Sequence, residues 1–357
     1  MATRPAGILN RTADRKGHLE LLVALVAVLG LSLQPASAQN CGECTISAAV
    51  ETPVSATEWT LSKQVNEVNV LFLASRGGKA TGDLSQNDVL VEDDGKPPAA
   101  ILGFRTEHEL PLRVGMVIDT SSSVNSRFRF EQAAASLFLR EVLQRDDDLA
   151  FVMGFDNYSK VTQDFVHDAN LLSRGVEQLH PDGGTALYDA VSTASQKLQR
   201  RPEQEMVARV LVVLSDGNNN AGYASLEGAI DAAQRAEVTI YAISTNWNSG
   251  QLEGDLGNKN LRRLAEQTGG RVLMPPNPKA VTKAFAKIGE ELRSRYAISY
   301  KPAGFVSDGH YRKIKIQAHQ AGEKLQIRAR KGYYASSASG INAASHDADG
   351  IVTLASR

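Results

Sequence analysis

The segment LRVGMVIDTSSS, residues 112–123, joins a mostly apolar run to an acidic residue and a series of hydroxyl side chains. The apolar run predicts a buried strand, and a helical pattern begins near residue 128. Asp119, Ser121 and Ser123 therefore lie where a strand ends and a helix approaches. Such a run is typical either of a helix N-cap or of a ligand site at a strand end, and the segment alone leaves both open.

Apolar strands and amphipathic helices alternate from this segment onward, over residues 111–293. Strands are predicted at residues 112–118, 149–155, 207–214 and 238–243, and helices at residues 128–144, 186–200, 225–235, 260–268 and 279–293. Continuous apolar strands between amphipathic helices indicate a sheet that is covered on both faces. The sequence therefore predicts an α/β fold with a doubly wound, mainly parallel sheet.

The flanking segments have a different pattern. Residues 59–110 and residues 294–335 contain short runs of period two separated by turn signals, which predicts β-strands. Because each stretch is short, we expect the two to pair into one small β-sandwich, with Tyr333 and Tyr334 closing its core. Residues 336–357 are rich in Ser, Ala and Gly without periodicity, and we expect a disordered tail there.

The N-terminus has the features of a targeting signal. Basic residues precede an apolar run that ends in Ala36-Ser37-Ala38, which predicts a secretory signal peptide over residues 1–38. The run is too short for a transmembrane helix, so an uncleaved anchor is the weaker alternative. We expect an exported protein, periplasmic or secreted, with no membrane span in the mature chain.

The only two cysteines, Cys41 and Cys44, lie in a leader at residues 39–58. An oxidising compartment favours a disulfide between them. A metal site would need further ligands, and a thioredoxin-type motif would need a βαβ context that the leader lacks. Gln39 and Asn40 also differ from the small residues that precede a lipid-modified cysteine.

Composition and motifs exclude several functions. The formal net charge is −1, so there is no overall basic field to attract nucleic acid. The chain contains no G-x-x-x-x-G-K-[ST], G-x-G-x-x-G, G-x-S-x-G or H-E-x-x-H motif. The sequence therefore offers no catalytic residue set and no organic-cofactor site.

Two more loops carry oxygen-bearing side chains at predicted strand ends or helix starts. Thr185 closes the loop at residues 180–185, and Asp216 follows the strand at residues 207–214. Since the carboxyl ends of parallel strands share one edge of a sheet, we expect both residues to approach the Asp119 segment.

Two carboxylates and three hydroxyls suit a hard divalent cation, and Mg²⁺ fits best, with Mn²⁺ or Ca²⁺ as other candidates. The predicted metal-site residues are Asp119, Ser121, Ser123, Thr185 and Asp216. Two carboxylates only neutralise the charge of such an ion, and hydroxyls are weak donors. An empty coordination position on the ion would therefore remain electrophilic and attract a carboxylate from another molecule.

At these residues the sequence resembles a von Willebrand factor type A domain with a metal-ion-dependent adhesion site. The matching pieces are D-T-S-S-S at 119–123, G-G-T-A-L-Y-D-A at 183–190 and L-S-D-G at 214–217. The resemblance implies a Rossmann-like fold and a metal shell that a Glu or Asp of a protein partner completes.

The flanks are similar to the acidobacterial-type secreted von Willebrand A proteins, through N-V-L-F-L, L-S-Q-N-D-V-L-V-E-D-D-G-K and R-A-R-K-G-Y-Y. Two departures stand out. Val124-Asn125-Ser126 lacks the carboxylates of an adjacent second metal site, and Ala74-Ser75-Arg76 replaces the usual Asp before the first flanking turn.

The sequence favours a non-enzymatic module that binds a protein partner presenting Asp or Glu. One alternative is a structural envelope protein whose metal only stabilises loops. The other is a metal-dependent hydrolase or phosphatase, which Arg127 and Arg129 near the first motif keep open. The acidic run at residues 146–148 is predicted to be a turn. Residues 218–220 and Trp247 lie on loops at the same predicted edge, where they either contact a partner or have an ordinary loop role.

Overall fold

The computed structural model describes residues 67–106, 110–203, 205–247 and 252–335, which belong to one compact unit of the chain, residues 61–357. The predicted signal peptide, the leader with Cys41 and Cys44, and the predicted tail lie outside the described residues. These three assignments stay predictions. None of the helices in the described part of the chain combines the length and the apolarity that a bilayer crossing requires.

The strands in chain order are β1 (Val68–Arg76), β2 (Lys79–Ala80), β3 (Val89–Asp93), β4 (Ala100–Thr106), β5 (Leu112–Asp119), β6 (Leu149–Phe155), β7 (Ser159–Val166), β8 (Ala208–Ser215), β9 (Thr239–Ser244), β10 (Val272–Leu273), β11 (Arg295–Lys301), β12 (Tyr311–Gln320), β13 (Glu323–Lys324), β14 (Gln326–Ala329) and β15 (Gly332–Tyr334). The helices are α1 (Phe128–Val142), α2 (Ala169–Glu177), α3 (Leu187–Arg200), α4 (Leu226–Arg235), α5 (Leu252–Gln267) and α6 (Val281–Leu292).

Six strands form the central sheet, in the order β10-β9-β8-β5-β6-β7. The five strands from β10 to β6 run parallel, and β7 is antiparallel at the edge. Each face of the sheet packs against its own apolar cluster: Met116 and Ile118 face one cluster, while Val117 faces the other. The predicted α/β class with helices on both faces is confirmed.

The segments before and after this domain pair with each other, as predicted. Strand β1 is antiparallel to β11, with Val68 opposite Tyr300, and β3 is antiparallel to β12. The two antiparallel sheets share one apolar core that draws residues from both ends of the described chain. The predicted β-sandwich of N- and C-terminal segments is therefore present.

The two adjacent tyrosines of β15 differ in role. Tyr333 is buried in the sandwich core, where its hydroxyl donates to Asp93 Oδ2 at 2.8 Å. Tyr334 instead packs against helix α4, with the guanidinium of Arg235 4.1 Å from its ring centroid. Of the predicted pair, one residue closes the core and the other joins the sandwich to the α/β domain.

The acidic run after α1 is a turn, and its last residue anchors the chain. Asp148 is fully buried and accepts from the backbone of Leu112, Gln144 and Arg145 and from Arg293 Nη2. A buried carboxylate with several donors stabilises a fold only while those donors are in place. Asp148 thus fixes the start of β5 against the end of α1.

The sequence missed one hairpin-and-helix unit. Strand β7 is mostly polar because it lies at the sheet edge, and α2 is a short helix capped by the Asp168 side chain, which accepts from Asn170 N and Leu171 N. The other helices begin and end within two residues of the predicted bounds, except α5, which begins at Leu252 rather than residue 260.

We expect Gly115→Ala to lower the free energy of unfolding by about 1–3 kcal/mol. A Cβ at this position in β5 would lie 2.4 Å from Leu211 Cδ2 and 2.6 Å from Phe151 Cζ. Urea denaturation measures the change. The matched control is Gly289→Ala in α6, where a Cβ meets no atom within 4 Å; this substitution should stabilise by about 0.5–1 kcal/mol. Equal midpoints for wild type and Gly115→Ala would contradict the packing described for this face.

Candidate functional site

Two neighbouring parallel strands bring their acidic ends to the same edge of the central sheet. Strand β5 ends at Asp119 and β8 ends at Ser215, and Ile118 lies opposite Leu214 in the register between them. The Ser215 hydroxyl donates to Asp119 Oδ2 at 2.7 Å. Asp216 follows directly, so the two predicted carboxylates meet at one edge.

The loop after β5 places its hydroxyls between these carboxylates. The Ser121 backbone N–H donates to Asp119 Oδ1 at 2.9 Å, and Ser121 Oγ lies 3.1 Å from Ser123 Oγ. Ser123 Oγ in turn lies 3.5 Å from Asp216 Oδ2. The Ser121 hydroxyl also hydrogen-bonds the Asp119 carboxylate, so a continuous row of oxygen atoms runs from Asp119 to Asp216.

The N-cap alternative for this loop does not match the structure. The loop forms a short 3₁₀ turn, Ser122–Val124, and Ser121 at its start makes no side-chain cap. Helix α1 begins only at Phe128, and its N-cap residue Arg127 also makes no side-chain cap. The Asp119 and Ser123 side chains point instead to the hydroxyls and carboxylates described above.

Thr185 lies on the third loop, which is hydrogen-bonded to the first. The backbone N–H of Ser122 donates to the Gly183 carbonyl at 3.2 Å, and the backbone N–H of Asp182 donates to the Thr120 carbonyl at 2.6 Å. Thr185 itself is buried. The structure thus brings all five predicted site residues to one edge of the central sheet. Thr185 reaches this edge because its loop is hydrogen-bonded to the loop after β5.

Glycine is required where this loop approaches its neighbours. Gly183 has φ +70°, a left-handed conformation that glycine adopts without strain. A Cβ on Gly184 would lie 2.7 Å from Asn157 Oδ1 and 3.0 Å from Asn220 Oδ1. The G-G pair before Thr185 therefore allows the loop to pack between two asparagine side chains.

Asn220 and Asn157 both belong to the site. The sequence leaves the role of Asn220 open and does not indicate Asn157. Asn220 Oδ1 accepts from the Thr185 N–H at 2.7 Å, while the Asn220 N–H donates to the Thr185 carbonyl at 3.0 Å. Asn157 Oδ1 accepts from the Gly184 N–H at 3.1 Å. The side chain of Asn219 accepts from the Tyr188 N–H at 3.1 Å. Asn219 and Asn220 thus position the loops.

Burial and like charge make this edge unfavourable for free carboxylates. Desolvation by burial, with a further contribution from the Asp216 carboxylate, raises the pKa of Asp119 to about 6 against the opposing hydrogen bonds from Ser121 and Ser215. No group of three or more His, Cys, Asp or Glu side chains placed to hold a metal occurs among the described residues. The available donors are two carboxylates with neighbouring hydroxyls, and this set suits a hard divalent cation. A cation bound there would relieve the repulsion between the two carboxylates.

A second buried acid lies behind the site. Desolvation raises the pKa of Glu131 to about 8, although Arg127 opposes this shift. Arg127 Nε donates to Glu131 Oε1 at 3.1 Å, and Glu131 Oε2 has no hydrogen-bond partner. The only sequence signal for this residue is a Glu on the otherwise apolar face of α1.

Residues 114–287 match the family model for the von Willebrand factor type A domain. These residues are a von Willebrand factor type A domain. The domain runs from β5 into α6 and includes all five candidate oxygen donors, and the antiparallel sheets lie mainly outside it. Among curated proteins, the chain is similar to an uncharacterised protein, sll0103, of Synechocystis sp., at 26% identity over 152 residues. The match covers 41% of this chain and 36% of that protein.

Several solved structures are similar to parts of the chain. The PilB minor pilin from Streptococcus sanguinis matches at 17% identity with a TM-score of 0.42, over 56% of this chain and 63% of that one. The vWF domain of the type V pili tip protein Mfa5 from Porphyromonas gingivalis matches at 16% identity and a TM-score of 0.42, over 51% and 94%. A von Willebrand factor type A protein from Catenulispora acidiphila matches at 13% identity and a TM-score of 0.43, over 78% and 75%.

In metal-free protein we expect stability to fall as the pH rises from about 4 to 6. The folded-state pKa of Asp119 is raised to about 6 from 3.8, so the native state keeps a proton that the unfolded state releases. The stability gained from that proton is complete below pH 3.8 and is lost as the pH rises through 6; it amounts to about 3 kcal/mol. Urea denaturation in EDTA across this range measures the slope.

The matched variant is Asp119→Asn, which cannot titrate. Glu131 also titrates above its usual range, so the comparison uses the difference in slope between the two proteins. We expect a shallower slope in the variant between pH 4 and 6. Identical slopes would mean that Asp119 has an ordinary pKa.

Proposed function

We propose that the von Willebrand A domain binds a protein partner through a divalent cation, Mg²⁺ in the first place, at the edge formed by Asp119, Ser121, Ser123, Thr185 and Asp216. The observation that carries the proposal is the row of oxygen atoms between two carboxylates, one of them buried with a raised pKa. A bound cation would supply an electrophilic position for a carboxylate, so the partner presents a Glu or Asp side chain.

Hydrogen bonds within the protein already join the loops of the site. Backbone bonds join Asp182 to Thr120 and Ser122 to Gly183, and Asn220 holds Thr185 from both sides. An ion whose only role is to hold loops would duplicate these bonds. This favours a ligand-binding role over the structural alternative.

The surroundings of the site also favour binding over catalysis. The three guanidinium nitrogens of Arg127 are engaged by Glu131 Oε1, the Ser123 carbonyl and Thr245 Oγ1. Arg127 therefore braces the loops, and Arg129 lines a different groove from the one that contains Ser123 and Asp216. A hydrolase or phosphatase would need a Lys or Arg clamp or a positioned base. We propose that the protein is not an enzyme.

Export is part of the same proposal. The predicted signal peptide at residues 1–38 would place the domain in the periplasm or outside the cell, where surface proteins are accessible. The proposed role is that of an exported adhesion or assembly module.

We expect Asp216→Ala to abolish Mg²⁺ binding measured by calorimetry, with the far-UV circular dichroism spectrum unchanged. Asp216 is the cleaner target because it is half-buried, whereas Asp119 is fully buried and bonded to Ser215 and Ser121. Pull-down from the envelope fraction of the producing cell should then capture partners with Mg²⁺, and should lose them with EDTA or with Asp216→Ala.

The matched control is Ser122→Ala, in the same loop. The Ser122 hydroxyl is exposed and donates to the Gly183 carbonyl, away from the oxygen row. This variant should keep both Mg²⁺ binding and capture. Capture that survives in Asp216→Ala would refute the proposed function, and phosphate-ester turnover that requires Asp216 would favour the phosphatase alternative.

A further inference from the structure

A groove with a volume of about 450 Å³ adjoins the candidate site. Ser123 and Asp216 form one end of the groove, and it extends between Phe130, Trp247 and Pro278. Pockets that hold small ligands have volumes of roughly 300–1,000 Å³, so the groove has room for one or two side chains. Because the groove shares Ser123 and Asp216 with the candidate site, it lies next to the position where the partner's acidic side chain would bind.

The walls of the groove contain aromatic side chains that are not needed to fill the hydrophobic core. The Phe130 side chain is 56% exposed on α1, while its neighbour Phe128 is buried in the core of the same domain. Trp247 packs one part of its ring against that core and presents another part to the groove. Exposed aromatic side chains next to a polar site are typical of binding surfaces, where they anchor apolar groups.

The same wall contains two hydrogen-bond donors without partners. Trp247 Nε1 and Asn246 Nδ2 are buried and have no acceptor. Both residues line the groove and are only half-buried as a whole, so both lie next to a ligand bound there. An unpaired buried donor is unfavourable, and an acceptor supplied by a ligand removes that cost. The main-chain carbonyls of an extended peptide are such acceptors.

Arg127 connects this wall to the oxygen row. Its guanidinium carbon lies 5.2 Å from the centroid of the Trp247 ring. Its Nη1 donates to the Ser123 carbonyl at 2.9 Å and its Nη2 to Thr245 Oγ1 at 3.3 Å. The groove wall and the loop of the candidate site are thus braced by one side chain, which fixes the distance between them.

We propose that this groove binds the residues next to the partner's acidic side chain, and that it selects an extended peptide segment with an apolar side chain beside the acid. The apolar side chain packs against Phe130 and Trp247, and main-chain carbonyls accept from Trp247 Nε1 and Asn246 Nδ2. This inference rests on the proposed function, because the acid itself is bound at the cation site.

The test compares acetyl-Leu-Glu-Leu-amide with acetyl-Gly-Glu-Gly-amide in the presence of Mg²⁺. The chain has two tryptophans, so a Trp59→Phe background with selective tryptophan excitation leaves Trp247 as the single emitting tryptophan. We expect the leucine peptide to bind about tenfold more tightly by calorimetry, as burial of an aliphatic side chain predicts. It should also shift the emission of Trp247 further than the glycine peptide does, because only the leucine side chain adds an apolar contact with the indole ring.

Phe130→Ala should remove the preference for leucine and leave the affinity of the glycine peptide unchanged. The matched control is Leu137→Ala, which truncates another exposed apolar side chain seven residues further along α1 and outside the groove. That variant should keep the tenfold preference.

Three outcomes separate the two proposals. Equal affinity for both peptides, with both requiring Mg²⁺, overturns the groove and leaves the proposed function standing. A leucine preference that persists in EDTA and with acetyl-Leu-Gln-Leu-amide overturns the proposed function and supports an apolar groove independent of the metal. Failure of both peptides to bind overturns both proposals.

Discussion

The approach of two carboxylates at the end of two parallel strands is the constraint around which this domain is arranged. Because β5 and β8 are adjacent and in register, Asp119 and Asp216 come to the same edge of the sheet. Burial of Asp119 removes the water that would otherwise screen its charge. The surrounding groups moderate this repulsion: Ser215 and the Ser121 N–H donate to Asp119, and the Asn218 N–H donates to Asp216 at 3.0 Å. What these donors leave uncompensated is the negative charge that a cation would balance.

Much of this arrangement could be predicted from the chain alone, because it follows from alternation and from strand ends. Apolar runs of five to eight residues between amphipathic helices require a parallel sheet, and the loops after its strands must converge. The strand at residues 149–155 and the helix at residues 187–200 are therefore predictable almost to the residue. The pairing of β1 with β11 followed from the shortness of each β segment.

The parts that the sequence could not supply depend on tertiary neighbours. Strand β7 is polar because it lies at an edge, so no apolar run marks it. The role of Ser215 depends on the register between β5 and β8, and the role of Asn157 depends on the close approach of the Gly183-Gly184 turn. Glu131 is buried because it lies in the first turn of α1, on the face of the helix that packs against the rest of the domain. In each case the residue type is ordinary, and its function comes from a contact between distant segments.

The central claim is that the oxygen row between Asp119 and Asp216 is a binding site for a hard divalent cation. Crystals grown with Mn²⁺ and measured at the manganese absorption edge test this most directly, because the anomalous signal locates the ion independently of any refined coordinates. We expect one dominant anomalous peak among the side chains of Asp119, Ser121, Ser123, Thr185 and Asp216. A well-diffracting crystal whose anomalous map is empty at this edge, or whose peaks lie only elsewhere on the surface, would contradict the claim.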